Sequence, residues 1–194
     1  MKKLILGVAI IAITSSACNN GTDTKTANKK NDASLVENTT VKENGMSANV
    51  DGAMREMVTQ YLQMKNALAN DNGKDAATAG NAFVTSMGKM EKTSLSAEKK
   101  KIWDDLSDDA KEMADHIGKN GDKIEHQREH FDMLSKDMVD MVKTFGAGQP
   151  LYNDYCPMYN NKKGATWLSE TKEIKNPYLG KKMPNCGMVK EEMK

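Results

Sequence analysis

The chain has 194 residues, with 28 lysines and arginines against 27 acidic residues and a formal net charge of +1. This length accommodates one domain with a tail and leaves no room for a second, catalytic domain. The balanced charge and an aromatic content of only 5% do not favour nucleic acid or an anionic membrane surface as the partner.

The first seventeen residues have the three parts of an export signal. Lys2 and Lys3 precede an apolar stretch from Leu4 to Ile13, which is shorter than the roughly 20 residues of a membrane-spanning helix. Small residues then precede Cys18, as in a bacterial lipobox. We predict a lipoprotein signal peptide over residues 1–17 and a lipid on Cys18, which would anchor the protein to a membrane of the bacterial envelope. A plain secretory signal with a free Cys18 is the alternative.

Residues 18–47 follow as a polar segment rich in Asn, Thr, Lys, Asp, Gly and Ser. Leu35 and Val36 are its only adjacent bulky apolar residues. Such a composition cannot bury enough apolar surface to become ordered. We therefore predict a disordered tether that separates the domain from the membrane.

Residues 48–194 are predicted to form a helical metal-binding domain. Apolar residues recur there at steps of three and four in four segments, with polar or glycine-containing connections between them. Ser96 and Asp122 are the predicted N-caps of the last two helices. Short connections predict an all-α, up-down-up-down four-helix bundle, with the helical methionines filling its core. The predicted helices span residues 49–70, 74–93, 96–118 and 122–146.

The tail, residues 147–194, is predicted to be irregular and turn-rich, because prolines and glycines divide it into short pieces. It contains two cysteines with methionines close to both. Thiolate and thioether sulfur select Cu(I) and similar soft ions over Mg²⁺ or Ca²⁺, and no C-x-x-C pair indicates a zinc ribbon. We predict a site for Cu(I) or a similar soft ion. Its predicted ligands are Cys156, Met158, Met183 and Cys186.

Two questions about this tail stay open in the sequence. An exported protein meets oxidising surroundings, so Cys156 and Cys186 could instead form a structural disulfide. Met188, two residues after Cys186, could also join the site.

Helix four places His126, His130 and Met133 on one face, at i, i+4 and i+7. We predict His130 as a further metal ligand or as a neighbour of the ligands, and leave the role of His126 open. The alternative is an exposed polar helix face. His116, near the end of helix three, is interpreted as a favourable partner of the helix dipole.

Several short motifs occur together between about residues 50 and 190. They are Tyr61, Lys65, Ala67-Leu68 and Asp71; residues 125–131 with Leu134-Ser135; Tyr152; Cys156-Pro157-Met158; residues 161–169; Ile174 with residues 176–180; and Met183-Pro184-Asn185-Cys186-Gly187. As a set they resemble a family of bacterial envelope proteins without an assigned function. Similar domains also extend the periplasmic adaptor subunits of heavy-metal efflux pumps.

The resemblance implies a helical domain that binds copper or silver through the four sulfur residues of the tail. His130 matches the Arg-Glu-His-Phe element of that family. This chain departs in having Tyr155 where many relatives carry His, which removes a potential ligand, and Pro184 where relatives tend to carry Leu.

The function we expect is therefore that of a lipid-anchored envelope protein facing the periplasm or the cell exterior. It would bind Cu(I) or Ag(I) and either buffer the ion or pass it to an efflux adaptor or another copper protein. The alternative is a structural or protein-interaction module stapled by a disulfide. We do not expect an enzyme, since no nucleophile elbow, phosphate loop, dinucleotide fingerprint or zincin motif occurs.

Overall fold

The computed structural model describes residues 47–193, which form a mostly helical domain with a small sheet near its C-terminal end. The predicted signal peptide, Cys18 and nearly all of the predicted tether lie outside the described residues. Within residues 47–193, no helix has both the length and the apolar character that crossing a membrane requires.

Four long helices make up most of the domain. They are α1 (Ala48–Ala69), α2 (Gly73–Met87), α3 (Ala97–Lys119) and α4 (Ile124–Phe145). Consecutive helices pack against each other and α1 also contacts α4, so the prediction of a helical bundle is confirmed.

The helix ends agree only in part with the predicted caps. Ser96 accepts a hydrogen bond from the Lys99 backbone N–H and is the N-cap of α3, as predicted. Helix α4 starts at Ile124, and Lys123 rather than Asp122 occupies its N-cap, without a side-chain hydrogen bond. Helix α2 ends at Met87, earlier than predicted, and a short 3-10 turn follows before α3.

The core of the bundle is formed by the apolar stripes of the four helices. Methionine contributes much of it, as expected for an unbranched side chain that fills irregular gaps. Fully or nearly fully buried members include Met54, Met57, Met64, Phe83, Trp103, Ile117, Phe131, Leu134, Met138 and Met141.

The predicted all-α fold is wrong for the tail, which contains a three-stranded antiparallel sheet in the order β2-β1-β3. The strands are β1 (Leu151–Cys156), β2 (Ala165–Ser169) and β3 (Met188–Met193). Each has only five or six residues. Strands this short depend on pairing with distant residues, which the local sequence pattern does not reveal. Two helical turns, Tyr159–Lys162 and Gly180–Lys182, lie between the strands.

Buried hydroxyl groups connect the sheet to the bundle. The Tyr61 hydroxyl on α1 accepts a hydrogen bond from the Leu168 backbone N–H at 3.0 Å and lies 2.7 Å from the Ser135 Oγ on α4. Tyr178 donates to the Thr166 carbonyl and also lies close to Ser135. The tail is thus attached to the bundle by specific polar contacts as well as by apolar packing.

Gly180, just after Tyr178, has a left-handed backbone with φ of +53°. A Cβ at this position would collide with the Asp71 and Arg128 side chains. We expect Gly180→Ala to lower the free energy of unfolding by at least about 1–2 kcal/mol, the conformational cost alone. The control is Gly52→Ala in α1, where a Cβ would meet no atom within 4 Å. This substitution should stabilise the helix by about 0.5–1 kcal/mol. Urea denaturation measures both, and a neutral Gly180→Ala would contradict the prediction.

Candidate metal centre

The structure brings the two tail cysteines together. Cys156 is the last residue of β1 and Cys186 lies just before β3, thirty residues later, and their sulfur atoms are 3.1 Å apart. Both thiols are free, with Cys156 buried and Cys186 half-buried. One thiol is therefore anchored in the sheet while the other is carried by a loop that reaches the surface.

Asn176 holds the loop that carries Cys186. Its side-chain amide donates to the Cys186 carbonyl at 2.6 Å, and its backbone N–H donates to the Pro184 carbonyl at 2.8 Å. Its side-chain oxygen accepts from the backbone N–H groups of Tyr178 and Leu179. The buried amide thus fixes the position of the second cysteine relative to the turn that follows Pro177.

Gly187 allows this loop to approach the sheet closely. Its φ is +150°, and a Cβ would lie 2.8 Å from the Trp167 ring and 3.1 Å from the Tyr155 carbonyl oxygen. Only glycine fits such an approach without movement of its neighbours. The residue after Cys186 is therefore glycine on steric grounds.

The Cys186 thiol has a raised pKa of about 11, with burial as the largest cause and the hydrogen bond to Cys156 as the next. The Met158 backbone hydrogen bond acts in the opposite direction. At neutral pH Cys186 is consequently a thiol, and a metal ion that binds there must displace its proton.

The predicted thioether ligands are exposed, and they lie close to the cysteines in the sequence. Met158 is 51% exposed and Met183 is 43% exposed, and Met188, at the start of β3, is 55% exposed. The Met183 carbonyl accepts a hydrogen bond from the Cys186 N–H. Because these side chains are outside the core, filling gaps in the core does not account for them.

His130 lies in a different cluster from the cysteines. Its Nδ1 is 3.2 Å from the Met113 sulfur and its Nε2 is 3.1 Å from Nε2 of His126. The ring of His116 stacks on it, with centroids 4.3 Å apart. Burial lowers the pKa of His130, and the neighbouring His116 and His126 lower it further.

Residue spacing does not predict that His116 is a member of this cluster, because this side chain is on α3 whereas the other two histidines are on α4. Helical spacing relates residues only within one helix. In the part of the chain that the structure describes, no cysteine belongs to this group of potential ligands.

Several motif residues have structural roles between the bundle and the tail. Arg128, which is nearly fully buried, donates to the Pro177 carbonyl from Nε and to the Leu68 carbonyl from Nη2. It also pairs with Asp71 at 2.6 Å. A single guanidinium therefore joins α1, α4 and the tail.

A second polar group lies where β1 and the end of β2 meet α1. The ammonium group of Lys65, 1% exposed, donates to the Glu170 carboxylate at 2.7 Å, and Asn66 donates to the other oxygen of that carboxylate. Asp154 is fully buried, and neither of its carboxyl oxygens has a hydrogen-bond partner among residues 47–193.

Comparison with known families covers the bundle. Residues 57–150 match the model of a family described as "Protein of unknown function (DUF3347)". The expected resemblance to a family without an assigned function is confirmed for this segment, which is slightly under half of the chain. No curated protein and no solved structure matches the chain significantly.

The segment that matches DUF3347 contains all three histidines and Arg128, and it ends before β1. Cys156 and Cys186 lie beyond it. The family match therefore describes the bundle, and the functional interpretation of the cysteines depends on their own geometry.

Proposed function

We propose that this protein binds a soft monovalent ion, Cu(I) or Ag(I), through the thiolates of Cys156 and Cys186. The observation that carries this proposal is the 3.1 Å distance between two free thiols from distant parts of the tail. Soft thiolate ligands favour Cu(I) over hard cations.

Only a small movement is needed to form such a site. Two sulfur atoms bonded to one ion at about 2.3 Å are ~3.8 Å apart at a tetrahedral angle. The pair at 3.1 Å would therefore open by less than ~1 Å. Asn176 holds the backbone of Cys186, but the Cys186 side chain is half-buried whereas Cys156 is buried, so we assign the movement to the Cys186 side chain.

The thioethers of Met158 and Met183 complete the proposed ligand set. They flank the thiols in the chain and are substantially exposed, so they can turn toward an ion without leaving the core. His130 is left out of this set because it lies in a separate cluster with His116, His126 and Met113.

In the proposed setting the protein is anchored to an envelope membrane through lipid on Cys18 and faces the periplasm or the cell exterior. It buffers the ion or passes it to an efflux adaptor or another copper protein. Exchange between soft, partly exposed ligands requires no catalytic base, and we propose no enzymatic reaction.

A second candidate function follows from the same distance. If Cys156 and Cys186 are oxidised to a disulfide, the loop is stapled to β1 and the tail becomes a rigid surface for a protein partner. The mostly exposed edge strand β3 favours this alternative, because an open strand edge can pair with another chain.

The test is a Cu(I) titration of the reduced protein without oxygen, in competition with a chromogenic Cu(I) chelator. We expect one tightly bound equivalent, and Cys156→Ser combined with Cys186→Ser should weaken this binding by more than about 100-fold, since both thiolate ligands are lost. The matched control is Cys18→Ser, which removes the third cysteine of the chain and should leave the affinity unchanged.

Circular dichroism of the double variant checks that the helices are retained. Unchanged one-to-one Cu(I) binding in that variant would overturn the proposal. Counting free thiols in protein purified without reductant separates the two candidate functions. The disulfide candidate predicts that neither Cys156 nor Cys186 reacts with a thiol reagent.

A further inference from the structure

The chain contains three histidines, and all three converge at the junction of α3 and α4. His116 is in the last turn of α3, and His126 and His130 are one turn apart near the start of α4. One potential ligand atom from each ring lies within 4.8 Å of the other two. The short connection between the two helices is what places these distant side chains together.

The closest pair already has the spacing of two ligands of one ion. The Nε2 atoms of His126 and His130 are 3.1 Å apart. Two nitrogens bonded to an ion at about 2.0–2.1 Å are ~3.3 Å apart at a tetrahedral angle. His116 is 42% exposed, so its ring can rotate to bring the third nitrogen closer.

The surroundings orient the rings for this role. The Met113 thioether can only accept a hydrogen bond, so it favours the proton on Nδ1 of His130 and leaves the Nε2 lone pair facing His126. Carboxylates flank the other two rings: Glu129 lies 3.7 Å from Nδ1 of His126, and Glu112 lies 3.8 Å from Nε2 of His116. Metal-binding histidines commonly have a carboxylate beside the ring nitrogen that does not bind the metal.

The donor set defines the class of ion. Imidazole nitrogen suits Zn(II), Cu(II) and Ni(II), whereas Mg²⁺ and Ca²⁺ require oxygen ligands. With no thiolate in the group, the donors are harder than those of the cysteine pair. Three protein ligands on a partly exposed surface leave a fourth position for water or for a ligand from a partner.

We infer that His116, His126 and His130 form a second metal site, separate from the cysteine pair, which binds a divalent borderline ion of the Zn(II) type. The inference does not depend on the proposed Cu(I) function, because it uses different residues, different elements and a different class of ion.

The test is a Zn(II) titration of the purified full chain against a colorimetric zinc indicator, in the wild type and in three single variants. We expect one equivalent bound in the wild type. His116→Gln, His126→Gln and His130→Gln should each weaken binding by at least about tenfold, while keeping a polar side chain at the site. Cys156→Ser with Cys186→Ser is the matched control and should retain this equivalent. Circular dichroism establishes that each variant is folded.

Co(II) in place of Zn(II) provides a second measurement that does not rely on affinity. The wild type should give visible d–d absorption without a thiolate-to-cobalt charge-transfer band. A thiolate band that disappears in the double cysteine variant would place the ion at the cysteines and overturn the inference. Retention of full Zn(II) affinity in any one of the three histidine variants would overturn the three-histidine site.

Discussion

Replacing Arg128 with methionine is expected to lower the free energy of unfolding by about 3–5 kcal/mol. Methionine keeps an unbranched apolar side chain but has no hydrogen-bond donors. The carbonyls of Leu68 and Pro177, which the guanidinium contacts at 2.9 Å, would then be left without these donors, and Asp71 would lose its ion pair. Removing one partner of buried polar contacts costs the desolvation of those left behind.

The chain provides a matched control, because Arg55 is the only other arginine. Arg55 is exposed on α1, so Arg55→Met should change the free energy of unfolding by less than about 0.5 kcal/mol. Urea denaturation at neutral pH, followed by far-UV circular dichroism, compares the two variants. A similar small effect in both would show that the Arg128 contacts are not important for stability.

Arg128 lies in the same short motif as a candidate metal ligand but has a structural role. In the run Arg128-Glu129-His130-Phe131, the histidine is the candidate ligand, because histidine is a common metal ligand. The arginine instead joins three parts of the fold, and Phe131 stacks on Tyr61 in the core, with centroids 5.0 Å apart. These contacts span about 50 residues or more of sequence, and such distances are not readable from local spacing.

The helical bundle could be predicted because residues close together in the sequence specify each helix. Amphipathic stripes specify helices, and caps such as Ser96 specify where they begin. The sheet was not predictable in this way. Strand β3 contains Lys190 and two glutamates and is exposed except at its last residue, so it has no apolar alternation. It is a strand because β1 offers it a partner, which is a property of the folded tail.

The two candidate sites differ in the same way: the local sequence indicates one of them, whereas the other depends on how two helices pack. The clustered sulfur residues of the tail predict that Cys156 and Cys186 belong to one site, and the structure places their sulfur atoms 3.1 Å apart. The histidine cluster required knowledge of how α3 and α4 pack. The i, i+4 pair on α4 was visible in the sequence, whereas the contribution of His116 depends on a helix connection whose geometry no local motif specifies.

Replacing Asp154 with asparagine is expected to remove a large pH dependence of stability from the metal-free protein. Asp154 is fully buried without a hydrogen-bond partner among the described residues. Burial raises the pKa of its carboxyl group to about 7; nearby Lys65 lowers it and Glu170 raises it. The folded state therefore holds a proton on Asp154 that the unfolded chain, with an ordinary value of 3.8, releases at lower pH.

The sign of the effect follows from this difference in proton binding. Between about pH 4 and pH 7 the folded state binds more protons at Asp154 than the unfolded state, so this residue's contribution to stability falls as the pH rises. This contribution is complete below about pH 4 and lost above about pH 7, a change of about 4 kcal/mol. An asparagine side chain does not titrate, so the Asp154→Asn variant should lack this component. Because Asp71 titrates in the opposite sense, the quantity to compare is the difference between variant and wild type.

Urea denaturation of both proteins at pH 4, 5.5, 7 and 8 measures that difference. We expect Asp154→Asn to gain stability relative to the wild type as the pH rises from about 4 to about 7 and to show no further relative gain above it. Asp108→Asn, at an exposed position on α3, is the control and should give a difference close to zero at every pH. A difference that is constant with pH would mean that Asp154 is ionised in the folded protein, in which case Lys65 must stabilise two carboxylates, Asp154 and Glu170, rather than one.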